Sequence, residues 1–126
     1  MNEESQCKVL PNGTKEWWHN GKRHRTNGPA IEWTDGHKEW WLNGKRHRTN
    51  GPAIERINGI KEWWFRGKQH RTDGPALECA NGTNVWWFYG KMLGYEDEGF
   101  WALWELLSEE ERSDWKLLQW APWVKS

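Results

Sequence analysis

Residues 21–33 read GKRHRTNGPAIEW, residues 44–56 read GKRHRTNGPAIER, and residues 67–79 read GKQHRTDGPALEC. Three near copies of one phrase describe a repeating surface, because a catalytic group is needed only once. The period extends beyond the phrase. Gly13, Gly36, Gly59 and Gly82 lie 23 residues apart, as do Trp17, Trp40, Trp63 and Trp86, and their neighbours Trp18, Trp41, Trp64 and Trp87.

Glycine turns divide each unit. Asn12-Gly13, Asp35-Gly36, Asn58-Gly59 and Asn81-Gly82 are dipeptides favoured in two-residue type I′ hairpin turns. Each joins a run such as PAIEW (29–33) to a run such as HKEWWL (37–42), and Trp and Ile favour strands. Each unit is therefore expected to be one β-hairpin, with the polar stretch NGKRHRTNG (43–51) as a loop. A two-residue turn at Asp35-Gly36 sets Glu32 across from Glu39, Ile31 across from Trp40 and Ala30 across from Trp41. Ile31, Trp33, Trp40 and Leu42 then share one face, and Ala30, Glu32, Glu39 and Trp41 the other. The next unit repeats this with Glu55 and Glu62. Like charges across a ladder destabilise, so these pairs need a cation, and Arg25, Arg48 and Arg71 share their period. Arg25, Arg48, Arg71, Glu32, Glu39, Glu55 and Glu62 are accordingly read as structural ion pairs.

The unit, NGK-x-H followed by G-x-A and then DG, resembles the MORN repeat over about residues 8–94. It departs from that family where KEWW replaces a Tyr-x-Gly-x-Trp opening, and where RTNGPA lengthens a Gly-x-Gly. The His-Arg-x-x-Gly-Pro-Ala wording is similar to a variant of phage and giant-virus proteins. The resemblance implies hairpins stacked into one elongated, twisted antiparallel sheet that serves as a binding scaffold. It further implies a viral accessory protein in the host cytoplasm, binding and inhibiting a host protein such as a defence factor.

The repeat stops after Gly94. YEDEGFWALWELL (95–107) places Phe100, Leu103, Trp104 and Leu107 on one helical face. Ser108 with Glu111 is a capping-box signature that opens a second helix through Trp115 and Leu118. The expectation is one mainly β domain over residues 1–126, with four hairpin repeats in 7–94 and a helical cap in 95–126 that covers the open sheet end.

Lys plus Arg and Asp plus Glu both number 18, so net charge does not announce a nucleic-acid binder. No apolar run approaches the roughly 18 residues of a membrane span, and MNEESQCKVL has no signal-peptide pattern. Cys7 and Cys79 match no metal spacing and read as free cytosolic thiols, with a disulfide as the alternative. About ten of the fourteen indoles are expected in the core.

Lys22, Arg23, His24, Lys45, Arg46, His47, Lys68 and His70 form a row of donors at one sheet edge, fit to grip an acidic protein surface or phosphates. Lys22, Arg23, Lys45 and Arg46 lack an obvious internal role and are the contact residues. Trp18, Trp41, Trp64 and Trp87 are candidate aromatic contacts. Histidines about 10 Å apart cannot share a zinc ion, so no metal or cofactor is expected. A glutamate pair that recurs with the fold does not suit catalysis, so no enzyme is expected either. A host protein is the expected partner. The alternative is a nucleotide or nucleic acid sequestered by basic loops and Trp stacking. Phospholipid is a weaker third reading, opposed by net neutrality. An exposed Trp surface offers a route to homo-oligomers.

Overall fold

The computed structural model describes residues 5–125. Among them are fourteen strands: β1 Gln6–Val9, β2 Lys15–His19, β3 Lys22–Arg23, β4 Ile31–Glu32, β5 Lys38–Glu39, β6 Trp41–Leu42, β7 Lys45–Arg46, β8 Ile54–Glu55, β9 Lys61–Glu62, β10 Trp64–Phe65, β11 Lys68–Gln69, β12 Leu77–Glu78, β13 Asn84–Phe88 and β14 Lys91–Tyr95. One long antiparallel sheet runs β1-β2-β4-β5-β8-β9-β12-β13-β14, in hairpin order. Three small pairings stand beside it: β3 with the far end of β2, β6 with β7, and β10 with β11. The expected mainly β array of hairpins is therefore present, but each unit holds two hairpins rather than one.

The turn types are the reverse of the sequence expectation. At Asp35-Gly36, the Trp33 N–H donates to the His37 carbonyl at 2.9 Å and the Gly36 N–H to the Trp33 carbonyl at 3.1 Å. Gly36 has φ 101°, while Asp35 is not left-handed. This is a three-residue loop, a type I turn closed by a glycine bulge. The Asp35 carboxylate accepts the His37 N–H at 3.0 Å, and Asn12, Asn58 and Asn81 do the same for Thr14, Ile60 and Thr83. These side-chain bonds suit an Asx turn. The type I′ turns lie in the stretch expected as a loop. Asn20-Gly21, Asn43-Gly44, Arg66-Gly67 and Tyr89-Gly90 all carry positive φ at both residues. They fold His19 onto Lys22, Leu42 onto Lys45, Phe65 onto Lys68 and Phe88 onto Lys91.

The extra turn residue shifts the register by one and corrects the expected faces. Ile31 lies across from Glu39, not Trp40, and Glu32 lies across from Lys38, not Glu39. One row of the long sheet becomes Lys15, Glu32, Lys38, Glu55, Lys61 and Glu78, each across from the next. Opposite charges across a ladder stabilise it, so the feared Glu–Glu contacts at 32/39 and 55/62 do not arise. The other row alternates Glu16, Ile31, Glu39, Ile54, Glu62, Leu77 and Val85.

The core of the array is small. Ala30, Ile31, Ala53, Ile54 and Ala76 are buried, whereas Trp86 is the one indole fully buried among the described residues. The expectation of about ten core indoles is thus corrected. Units are stapled together through histidine. His24, His47 and His70 accept, on Nδ1, the backbone N–H of Asn43, Arg66 and Tyr89, each at 2.9 Å and each on the next unit's tight turn. A nitrogen that accepts carries no proton, so these rings are neutral with the proton on Nε2.

The tail comprises α1 Glu96–Leu106, α2 Glu109–Arg112, α3 Trp115–Leu118 and a 3-10 turn at Pro122–Lys125. Phe100, Leu103, Leu107, Leu117 and Ala121 close over Trp86. The Ser108–Glu111 capping box forms. The second helix does not run on to Leu118: it breaks after Arg112, and the Asp114 carboxylate caps α3 by accepting the Lys116 N–H at 2.9 Å. Gly99 is where helix meets sheet, and a methyl there would lie 2.2 Å from Trp86 Cδ1 and 2.6 Å from the Gly94 carbonyl.

Two outcomes are expected. Burial holds the His47 and His70 pKa values below the ordinary imidazole value; Arg66 adds to the effect at His47 and Glu111 opposes it at His70. The unfolded rings take protons first, so this stability is complete above about pH 6.5 and is lost as pH falls below it. Melting temperature should drop between about pH 7.5 and 5.5, with smaller amide protection factors at Arg66 and Tyr89 after correction for the intrinsic pH dependence of exchange. A flat profile would remove the staples from the stability account. Separately, Gly99→Ala should cost about 1–3 kcal/mol in urea denaturation, because neither Trp86 nor the sheet backbone has room to retreat.

Candidate functional site

The arginine that follows the histidine in each phrase is a clamp. The Arg25, Arg48 and Arg71 guanidinium carbons each lie 3.8 Å from the ring centre of Trp17, Trp40 and Trp63. Nε donates to Asn27, Asn50 and Asp73, and Nη1 donates to the carbonyls of Pro29, Pro52 and Pro75. Nη1 also pairs with Glu32 at 3.5 Å, Glu55 at 3.2 Å and Glu78 at 2.7 Å. Gly28, Gly51 and Gly74 leave room for this group, since a methyl on any of them would meet the guanidinium carbon at 2.9, 3.0 or 2.6 Å. The clamps reach Glu32 and Glu55 but not Glu39 or Glu62, which belong to a different set of contacts.

That set is built on the first arginine. Arg23 and Arg46 were expected to be free loop-tip residues. In a strand, however, alternate side chains part, and each arginine lies across from an indole: Arg23 from Trp18, Arg46 from Trp41. The Arg23 guanidinium is 5.3 Å from Trp18 and 5.4 Å from Trp41, and that of Arg46 is 5.3 Å from Trp41 and 5.2 Å from Trp64. Glu16 and Glu39 each approach one of these arginines at 3.5 Å. The indole N–H groups of Trp18, Trp41 and Trp64 donate to Glu16, Glu39 and Glu62 at 3.1, 2.9 and 3.0 Å. Burial pushes the Glu39 carboxyl pKa up, but hydrogen bonds from His37 and Trp41 and the nearby Arg46 charge outweigh it and leave a net lowering. Trp18, Arg23, Trp41, Arg46 and Trp64 thus form one column. The arginines remain about a third exposed.

The column ends in the next unit. Gln69 stands in the arginine position, and Val85 stands where Glu16, Glu39 and Glu62 stand in the earlier units. The buried Trp87 Nε1 consequently has no hydrogen-bond partner among the described residues.

The lysines part from the arginines. Lys22, Lys45 and Lys68 are exposed, and their stems lie along Gly44, Gly67 and Gly90, where an added methyl would touch them at 3.5, 3.4 and 3.7 Å. Lys91 occupies the same position after the Tyr89-Gly90 turn, in the last hairpin of the long sheet. Sequence reasoning missed it because its unit reads GKML rather than GKRH, although the Gly-Lys pair still marks it. None of these four makes an ion pair among the described residues. Between two units lies a shallow cleft of about 380 Å³ bounded by Trp41, Trp64, Lys45, Lys68, Arg46 and Arg66. The histidines do not join it; His47 and His70 border two separate clefts of about 470 and 520 Å³, beside Arg48 and, for the larger, Arg71.

Charge is segregated along the chain. Residues 5–95 hold 15 Lys and Arg against 8 Asp and Glu, a net of +7, and residues 96–125 hold 3 against 8, a net of −5. The balanced total conceals a basic array and an acidic tail. Among the described residues no group of three His, Cys, Asp or Glu comes together to hold a metal, Cys7 and Cys79 are free, and no helix is long and apolar enough to cross a membrane. Comparison with protein-family models, curated proteins and solved structures gives no match.

The two neighbouring basic residues should separate by role. Arg46→Gln removes the cation between Trp41 and Trp64 and should cost about 1 kcal/mol of stability. Lys45→Gln should change stability by no more than about 0.5 kcal/mol. Equal melting temperatures for the two variants would show the column to be idle.

Proposed function

We propose that this chain is a non-enzymatic binding module whose repeat array holds an acidic surface of a protein partner along Lys22, Lys45, Lys68 and Lys91. The observation that carries this reading is the row itself: four exposed lysines, one per unit, none ion-paired among the described residues, the first two beside Arg23 and Arg46 held in place between indoles. Trp and Arg are the side chains most often central to protein interfaces, and cations already held in position lose little freedom on binding. The recurring carboxylates are engaged within the fold, Glu32, Glu55 and Glu78 by arginine clamps and Glu16, Glu39 and Glu62 by indoles and cations, which suits a scaffold better than a catalyst. The likeness to MORN repeats agrees with a scaffold. The likeness to their viral variant extends the proposal to a host protein, such as a defence factor, as the target.

Base stacking is disfavoured by the same geometry. Trp41 carries two guanidinium groups over its ring, and Trp17, Trp40 and Trp63 carry one each. On these indoles nucleic acid would have to bind through phosphates, which the +7 charge of the array permits.

The test compares labelled poly-glutamate with a single-stranded oligonucleotide, on the wild type and on a variant with Lys22, Lys45, Lys68 and Lys91 changed to Gln. The variant should melt like the wild type and bind poly-glutamate at least about tenfold more weakly, and wild-type binding should weaken as salt rises. Preference for the oligonucleotide would turn the reading to nucleic acid. Unchanged binding by the variant would reduce the row to a solvated edge.

A further inference from the structure

The lysine row has a period, and a period selects the shape of what lies along it. Strands in a sheet are about 4.8 Å apart and each unit adds two, so successive units advance about 9.6 Å. The column agrees: with Arg23 5.3 Å from Trp18 and 5.4 Å from Trp41, those indoles are no more than about 10.7 Å apart.

Few polymers present a group on one side at that interval. A β-strand returns to the same side every two residues, at about 6.7 or 13.4 Å, and misses by about 3 Å per unit. An α-helix returns after seven residues, at about 10.5 Å, and is nearly 3 Å out of step after three intervals. A DNA duplex brings one strand back to the same side only once per turn, about 34 Å. A polyproline-II helix has three residues per turn and rises about 3.1 Å per residue, so every third side chain returns after about 9.3 Å. Its error is about 0.3 Å per unit and about 1 Å over three intervals.

We propose that the ridge binds a polyproline-II segment of a partner protein carrying an acidic residue at every third position, with successive carboxylates meeting Lys22, Lys45, Lys68 and Lys91. The inference rests on the acidic-partner reading and names the form of that partner. Charge complementarity supports it, since the four ammonium groups have no ion partner among the described residues. The surface between them also fits. The cleft between Lys45 and Lys68 is shallow and bordered by Trp41 and Trp64, and the turn glycines Gly44 and Gly67 are part of its lining. A polyproline-II segment is ordered before it binds, so little freedom is lost on docking. The two prolines between the acidic residues on Lys45 and Lys68 would rest over this cleft.

The experiment titrates the whole chain with fluorescent Glu-Pro-Pro repeats of two to six triplets. Two controls carry matched charge: one with the same composition and the glutamates respaced, the other a helical peptide with one glutamate per heptad. Affinity should rise by about two- to fivefold per triplet up to four, one per lysine, and then level off. The respaced peptide should bind at least about tenfold more weakly at equal charge. Replacing Lys45 and Lys68 with Gln should abolish the length dependence between two and four triplets. Equal binding of the respaced peptide, a steady rise past four triplets, or tighter binding of the helical peptide would each overturn this inference while leaving the acidic-partner reading intact. Silence from every acidic peptide, together with poly-glutamate, would overturn both.

Discussion

The array depends on a guanidinium lying flat on an indole. Arg48, 3.8 Å from the centre of Trp40, shows how much of the repeated phrase that contact explains. Asn50 is there to accept Nε, Gly51 to leave space for the group, and Pro52 to offer a carbonyl to Nη1. The Arg48 backbone N–H then donates to the Trp64 carbonyl of the next unit, so the residue that fixes one unit also holds its neighbour. A partly desolvated cation–π contact is worth about 2 kcal/mol, and hydrogen bonds to a charged group add to it. Domains of this size are stable by about 5–15 kcal/mol in all, so three such clamps are a large share.

The clamps also account for a chain with fourteen indoles and 29% charged residues. The long sheet is a ribbon, only two residues wide along many of its strands, with alanine and isoleucine at its centre. A sheet ordinarily buries its apolar face under a second layer of helices or strands. Over residues 15–80 arginine takes that place. Its planar, weakly hydrated head covers an indole face while its edge keeps hydrogen bonds to carbonyls, carboxylates or water. Leucine would cover the ring equally well but leave the Pro52 carbonyl and Glu55 unanswered.

Periodicity was legible in the sequence because each unit repeats the same side chains in the same order, and so were the tail's buried face and its capping box. Which glycine turn is of which type was not. An Asx-Gly pair supports both a type I′ turn and a type I turn with a glycine bulge, and local composition does not decide between them. The choice lies with bonds made elsewhere: the Asp35 carboxylate binds the His37 N–H, while Asn43 is held by His24 from the preceding unit. Arg66 and Tyr89 adopt left-handed φ with no compositional signal, because His47 and His70 engage their backbones. That one-residue uncertainty reversed a face and produced a false contact between Glu32 and Glu39. Reading 43–51 as a loop hid the strand alternation that sends Lys45 to solvent and Arg46 between indoles.

The end of the array shows the clamp by its replacement. Counting on by 23 from Arg25, Arg48 and Arg71 reaches position 94, which is Gly94. The indole that an arginine there would cover is Trp86, and it meets instead Phe100 at 5.7 Å and Trp120 at 6.1 Å, both edge-on. Gly94 and Gly99, facing each other with no side chain between, let α1 come down onto the sheet where a guanidinium would have lain. An apolar cover needs no carboxylate to answer it, and the position that follows Glu32, Glu55 and Glu78 at the same spacing is Trp101. Acidic residues are then free to gather on the outside of the tail. The same substitution that ends the repeat therefore separates the charge, leaving a net positive array and a net negative tail.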